Sequence, residues 1–186
     1  MTNITFQPFT DRLSRDIRNT LSKSLLQVIS LQSLEPAQTA AESYLCPQLP
    51  TAYAAYIAER LNKYQLVLTT LGSKIDDPYL VACILWDKQL FFEVHEVLEP
   101  VWLKAEGEEK LFLQAMIRAA AVYMKLEYGY TEPASRIARK ALPVFERNRE
   151  RLARYTNPDE LISRLHQLHL PPPLLLGEKS GLAAKS

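Results

Sequence analysis

The segment over residues 93–99, Glu-Val-His-Glu-Val-Leu-Glu, combines a histidine with three acids, which are residue types that bind metal ions and transfer protons. Residues three and four apart lie on the same side of a helix. His95, Glu96 and Glu99, here called the His95 cluster, could therefore meet at one point above a helix. A divalent metal ion or a water-activating base needs such a geometry, so the spacing indicates a candidate metal or catalytic site.

The residues around this segment make charged side chains unusual there. A helical projection of residues 91–104 puts His95 and Glu99 at the border of an apolar face, and Glu96 beside a second apolar strip. The face contains Phe91, Val94, Leu98, Val101 and Trp102, and the strip contains Phe92 and Leu103. A carboxylate held against apolar surface is costly unless a cation, a hydrogen-bond donor or a metal compensates it. The pattern therefore predicts a partner for these acids.

Three residues of the same projection, Glu93, Pro100 and Lys104, are predicted to face outward. Pro100 lacks a backbone donor and would clash with the carbonyl of Glu96, so we expect the helix to kink or stop there. An alternative is that Pro100 only turns the chain so that Trp102 covers the core.

The cluster has a structural interpretation beside the chemical one. Buried histidine and glutamate side chains are often held by an arginine or glutamine of a neighbouring helix. The next predicted helix offers a narrow polar seam formed by Gln114, Arg118 and Lys125. In this interpretation the cluster is a buried polar network without catalytic activity, and a ligand pocket is a third alternative.

The chemical interpretation is metal-assisted hydrolysis. His95 and Glu99 would bind a divalent metal, with Glu96 as a further ligand or the base. Arg118 would position an anionic group of the substrate. These assignments make Glu96 and Arg118 the candidate catalytic residues.

The first half of the zincin motif His-Glu-x-x-His is present as His95-Glu96, but position 99 is glutamate, so an ordinary zincin is excluded. His166 and His169 are three apart on the last predicted helix and could complete a metal site if that helix folds back. Two histidines near a helix end are more often surface residues.

Helical periodicity runs through nearly the whole chain. Apolar residues recur at three and four positions, and only five glycines occur in 186 residues, which predicts an all-α fold, a compact antiparallel bundle of about six to eight helices. The first helix is capped by Thr10. The later helices are predicted over residues 37–44, 51–71, 79–86, 89–103, 108–128, 132–154 and 158–168. We expect an N-terminal extension over 1–72 packed on a core over 73–170, followed by a flexible tail over 171–186.

The composition restricts the class of protein. With 47% hydrophobic residues, 23% charged residues and a net charge of +1, the chain can bury a core and has no overall field for nucleic acid or membranes. Cys46 and Cys83 lack a CxxC spacing, which argues against a disulfide framework or thiolate zinc site. The start lacks the features of a secretion signal, and no apolar run approaches about 18 residues. We therefore expect a cytoplasmic protein that is not embedded in a membrane.

Charge is distributed unevenly along the chain. Residues 93–109 contain six acids and one lysine, a net of −5, whereas residues 136–154 contain seven bases and two acids, a net of +5. These stretches could complement each other within the fold, across a homo-oligomer or toward a partner protein. Aromatic residues do not interleave with the bases, so nucleic acid is the less favoured partner.

A set of residues between Leu90 and Phe145 carries a family resemblance. It comprises the run Leu90-Phe-Phe-Glu-Val-His-Glu-Val-Leu-Glu99, then Trp102, Phe112-Leu-Gln114, Arg118, Gly129, Ala134 and Lys140-Ala-Leu142. This pattern is similar to domain of unknown function 309, DUF309. The resemblance covers about a third of the chain and leaves the N-terminal helices outside it.

The resemblance implies a compact helical fold with a signature Glu-x-His-Glu-x-x-Glu followed by Trp, for which family members carry the label of predicted metal-dependent hydrolase. By that resemblance, Glu93, Trp102 and Gln114 line the site beside the His95 cluster. Arg118 stands where many relatives carry glutamine, and Pro100 where they often carry an acid. The polar network is therefore expected to differ in detail.

Residues 121–142 also resemble one tetratricopeptide helical pair, with an aromatic residue before Gly129 and alanines at Ala134, Ala138 and Ala141. No second copy follows at a spacing of about 34 residues. A repeat array is therefore not expected, but a helical hairpin that serves as a protein-interaction scaffold remains the main alternative to an enzyme.

Overall fold

The computed structural model describes residues 4–72 and 76–177, and within these ranges the chain forms nine α-helices and no strand. The all-α prediction is confirmed. The helices are α1 (Arg12–Leu31), α2 (Glu35–Glu42), α3 (Thr51–Leu71), α4 (Pro78–Asp87), α5 (Phe91–Lys104), α6 (Gly107–Glu127), α7 (Thr131–Arg147), α8 (Arg149–Leu152) and α9 (Pro158–Gln167).

The chain divides into two compact units, Met1–Ile75 and Asp76–Ser186. In the first unit, α1 packs against α2 and α3 through a buried apolar stripe. Asp11 caps α1 in place of the predicted Thr10, because its carboxylate accepts a 2.7 Å hydrogen bond from the backbone N–H of Ser14. The predicted packing of residues 1–72 on the rest of the chain stays a prediction.

The second unit is built around α6, which packs against both α5 and α7. Its first helix, α4, begins at the predicted cap, where Asp77 accepts hydrogen bonds from the backbone of Tyr79 and Leu80. Seven of the ten residues of α4 are buried, and the helix packs against α5. The α6–α7 turn contains Gly129, whose φ of 79° is unfavourable for other residues. This unit holds all the residues of the candidate site.

The long helix predicted over residues 132–154 is wrong in its second half, because the chain breaks at Asn148. The Asn148 side-chain amide donates a 2.9 Å hydrogen bond to the carbonyl of Val144, which ends α7. The short α8 follows, with Leu152 fully buried and Arg151 in contact with Glu109 of α6. Asparagine side chains compete in this way for backbone groups, so the break has a local cause.

Residues 171–177 differ from the flexible tail that the sequence predicts, because they are bound to the end of α4. The indole N–H of Trp86 donates a 2.8 Å hydrogen bond to the carbonyl of Pro173. The Asp87 carboxylate accepts hydrogen bonds of 2.6 Å and 3.0 Å from the backbone of Leu175 and Leu176. A segment outside any helix needs such partners for its N–H groups. The rest of the predicted tail, residues 178–186, lies outside the described residues.

Across residues 4–72 and 76–177, none of the helices is both long enough and apolar enough to cross a bilayer.

Candidate functional site

Helix α5 positions the His95 cluster, and it does not stop at Pro100. The helix runs from Phe91 to Lys104 with Pro100 inside it, so the expected stop is not observed. Phe91, Val94 and Leu98 are buried, as the apolar face predicts. These residues fix the rotation of the helix and thereby the direction in which His95 points.

The three residues of the His95 cluster lie together on the surface of α5. The Nδ1 atom of His95 is 3.6 Å from a carboxylate oxygen of Glu96, and its Nε2 atom is 3.8 Å from a carboxylate oxygen of Glu99. The side chain of His95 is 39% exposed, that of Glu96 only 14%, and that of Glu99 45%. The imidazole therefore stands between two carboxylates in a half-hydrated position.

The two carboxylates change the acid–base behaviour of His95. Interaction with Glu96, helped by the negative charge of Glu99, raises the pKa of His95 above its ordinary value, although burial of the ring acts in the opposite direction. The charged imidazolium is thus favoured, because its positive charge lies close to two carboxylates. The arrangement can hold a proton, and it can bind a metal only if that proton leaves.

Glu93 is placed differently from the rest of the signature. The prediction that it faces outward is wrong, because Glu93 is only 1% exposed. Val97, one helical turn later on the same side, is also buried. The buried surface of α5 therefore reaches farther around the helix than its apolar residues indicate. Glu93 lies two positions before His95, which puts it on the opposite side of the helix.

The polar seam of α6 does not supply the expected partner for the acids. Arg118 donates a hydrogen bond of 3.4 Å to the backbone carbonyl of Lys140 on α7. The ammonium of Lys125 lies 5.2 Å from the centre of the Tyr130 ring. Gln114 is half-buried, and within residues 4–72 and 76–177 it makes no hydrogen bond with the cluster. The contacts of His95 given above come from its own helix.

Trp102 follows the cluster by one turn and contacts α6. The Lys110 ammonium lies 4.8 Å from the centre of the Trp102 ring, a cation–π contact between the two helices. The indole N–H of Trp102 is buried and has no hydrogen-bond partner among the residues that the structure describes. Trp102 thus joins the end of α5 to the start of α6 beside the cluster.

His166, near the end of α9, and His169, just after it, do not join this cluster. His166 and His169 are exposed, and Nδ1 of His169 lies 3.1 Å from the guanidinium of Arg164. Over the described ranges, no three histidine, cysteine, aspartate or glutamate side chains are arranged to hold a metal ion. The divalent metal and its ligands His95 and Glu99 stay a prediction.

A second polar cluster, which the sequence interpretation did not single out, joins Tyr79 of α4, Glu109 of α6 and Arg151 of α8. Arg151 donates a 2.8 Å hydrogen bond to the Tyr79 hydroxyl, and both residues hydrogen-bond to Glu109. The guanidinium lies 4.4 Å from the centre of the Phe112 ring. Burial, followed by the hydrogen bond to Glu109, raises the pKa of Tyr79. The sequence signal for this network was the opposite net charge of residues 93–109 and residues 136–154. Glu109 and Arg151 form one ion pair between these two stretches.

Residues 79–137 match the family model described as domain of unknown function, DUF309. The match covers about a third of the chain, and this part is similar to DUF309. The matched residues run from α4 into α7 and include the His95 cluster, Gln114 and Arg118. The family resemblance is confirmed, although the matched part of the DUF309 domain ends before Lys140-Ala-Leu142. No curated protein and no solved structure matches the chain.

Proposed function

We propose that this protein is a non-catalytic helical scaffold that binds another macromolecule, and that the His95 cluster is a structural ion cluster of α5. The observation that carries the proposal is the position of the ring, with each nitrogen of His95 facing a carboxylate oxygen, at 3.6 Å and 3.8 Å. Histidine binds a metal through an unprotonated nitrogen that faces the ion. Here both nitrogens lie near carboxylate oxygens at distances longer than a hydrogen bond, which suits a charged ring held by electrostatic attraction.

The direction of Arg118 also supports this proposal. A residue that positions a substrate anion must present its guanidinium to the place where the reaction occurs. The guanidinium of Arg118 instead binds the Lys140 carbonyl and so connects α6 with α7. This contact joins the two helices of a hairpin, as a structural arginine does.

Metal-assisted hydrolysis is the second candidate, and one observation favours it. The His95 cluster lies on a partly exposed surface, with three potential ligand or base groups close together. In that case His95 and Glu99 would hold a divalent metal, and Glu96 would act as ligand or base. The metal would supply a polarised, more acidic water molecule.

Metal analysis of protein purified without chelator separates the two candidates. The wild type is compared with His95→Ala, with Glu99→Ala and with His166→Ala, which removes an exposed histidine outside the cluster. The scaffold proposal predicts no stoichiometric divalent metal in any of the four proteins. Stoichiometric metal in the wild type and in His166→Ala, lost from the other two while their circular dichroism stays helical, would establish the metal site instead.

A further inference from the structure

Helix α7 buries one face and leaves a basic face exposed. Its buried side consists of Ala134, Ala138, Ala141, Leu142, Val144 and Phe145, which face α6 and α9. Its exposed bases recur at helical spacing and include Arg136, Arg139, Lys140 and Arg147. The small residues on the buried side let α7 pack closely against its neighbouring helices. The exposed basic face is the part of α7 that can contact another molecule.

Most of these bases are not neutralised by acids of the same unit. Arg136 forms an ion pair of 3.1 Å with Glu132. Arg139 donates a 3.2 Å hydrogen bond to the neutral hydroxyl of Ser135. Within residues 4–72 and 76–177, neither Arg139, Lys140 nor Arg147 forms an ion pair with an acid. Their charge is therefore available to a partner.

The arginines of α8 behave differently, although they belong to the same basic stretch of sequence. Arg149 pairs with Glu146 at 2.7 Å and also binds Asp159. Arg151 is bound to Glu109 and Tyr79. Within the described ranges, the arginines after the Asn148 break thus pair with acids of other segments, whereas Arg139, Lys140 and Arg147 of α7 form no ion pair.

The exposed bases of α7 surround an apolar strip. Two shallow, open surfaces lie along the basic stretch. One covers residues between 146 and 154 and has a volume of about 410 Å³, and the one on α7 has a volume of about 480 Å³. It is lined by Pro133, Arg136, Ile137, Arg139 and Lys140, which together are here called the α7 surface. Pro133 and Ile137 are half-buried, so their apolar atoms can be covered further by a partner.

We propose that the α7 surface binds an acidic amphipathic helix of a partner protein, an inference that rests on the scaffold function proposed above. An apolar side chain of the partner would cover Pro133 and Ile137, and its carboxylates would face Arg139 and Lys140. Lys140 and Arg147 are two helical turns apart, roughly 10 Å, which matches acids seven positions apart on a partner helix. Charge complementarity thus fixes both the kind of partner and the spacing of its acids.

Two other occupants fit the α7 surface less well. Single-stranded nucleic acid is bound by basic grooves with aromatic side chains for base stacking, and the α7 surface contains none. A second copy of this chain could offer its acidic stretch, but Glu109 there already binds Arg151. The exposed Glu106 and Glu108 are two positions apart, so they do not reproduce the seven-residue spacing of Lys140 and Arg147.

Fluorescence anisotropy with designed probes tests this inference on the full chain. One labelled peptide of about 18 residues places glutamates and leucines on one helical face, with glutamates seven apart, and a second peptide scrambles the same composition. A single-stranded oligouridylate of about 20 nucleotides is the third probe. We expect the patterned peptide to bind about tenfold more tightly than the scrambled one, because a helix can engage the bases and the apolar strip together.

Charge reversal at matched positions locates the binding. Arg139→Glu with Lys140→Glu should weaken the patterned peptide at least about tenfold, since both electrostatic contacts are reversed. Arg15→Glu with Lys23→Glu, two exposed bases of α1, makes the same change in net charge and should have no comparable effect. Ile137→Ala should weaken the patterned peptide and leave the scrambled one unchanged.

Each alternative gives a distinct contrary result. Equal affinity for the two peptides, no binding of the patterned peptide, or tighter binding of the RNA would overturn the inference. So would a dimer in sedimentation velocity that Arg139→Glu with Lys140→Glu abolishes, because a second copy would then occupy the surface. The metal analysis tests the scaffold proposal separately. If the protein contains no metal and the patterned peptide does not bind, only the acidic-helix partner is rejected.

Discussion

The His95 cluster and the Tyr79–Glu109–Arg151 network are both polar clusters of the second unit, but they are built in opposite ways. All residues of the His95 cluster come from a single short segment of α5, residues 95–99. The network joins three helices, and its Tyr79 and Arg151 are 72 residues apart in the chain. The first cluster can form whenever α5 is helical, whereas the second requires the whole unit to be folded.

This difference indicates which of the two clusters should stabilise the tertiary structure. Contacts within one helix do not oppose the separation of that helix from its neighbours. Contacts among α4, α6 and α8 are lost when the unit unfolds. Hydrogen bonds from Tyr79 and Arg151 lower the pKa of Glu109 against the effect of its partial burial, which indicates that its charged form is held in the native state.

Removal of the Arg151 side chain should have the largest effect. Arg151→Ala deletes the hydrogen bonds to Tyr79 and Glu109 and the contact with the Phe112 ring. We expect a loss of about 2 kcal/mol in the free energy of unfolding, measured by urea denaturation. Arg154→Ala, at an exposed arginine three residues later, is the control and should change stability by less than about 0.5 kcal/mol. Equal losses in the two variants would remove the distinction drawn above.

A single hydroxyl of the network should contribute less. Tyr79→Phe keeps the ring that stacks on Tyr155 at 5.0 Å and removes only the group bound to Arg151 and Glu109. The expected loss of stability is about 1 kcal/mol, the usual net contribution of such hydrogen bonds. Tyr155→Phe is the matched control, since it preserves the same ring pair. A larger effect in Tyr155→Phe than in Tyr79→Phe would show that the hydrogen bonds of the Tyr79 hydroxyl do not stabilise this corner.

The His95 cluster should contribute least, and its contribution should depend on pH. Because the folded state raises the pKa of His95, the stabilisation is fully present below the ordinary pKa of about 6.5 and is lost as the pH rises through the folded-state value. The stability difference between the wild type and His95→Gln should therefore be larger at about pH 5.5 than at about pH 9. Partial exposure of the ring limits it to less than about 1 kcal/mol. A difference that grows with pH would contradict this account.

Features with local causes could be predicted from the sequence. The bounds of α3 and the Asp77–Pro78 start of α4 follow from periodicity and capping residues, which act within one or two turns. The proximity of His95 to Glu96 and Glu99 has the same origin, since spacing along a single helix determines it.

Features that depend on distant segments could not be predicted in this way. The burial of Glu93 depends on what covers the first turn of α5, and the helical projection contains no such information. The attachment of residues 171–177 depends on Asp87, which is 88 residues from Leu175. The break at Asn148 has both a local and a distant cause. The Asn148 side chain binds the nearby Val144 carbonyl, whereas α8 is held by the contact of Arg151 with the distant Glu109. An asparagine inside a predicted helix was the signal that could have placed this break.

The direct test of the central claim is an NMR titration of the His95 ring. If Glu96 and Glu99 hold His95 as a cation, its midpoint lies above about 6.5 and falls in Glu96→Gln, which keeps the side-chain size and removes the charge. A midpoint below this value, or one that Glu96→Gln leaves unchanged, would contradict the ion cluster on which the scaffold proposal depends.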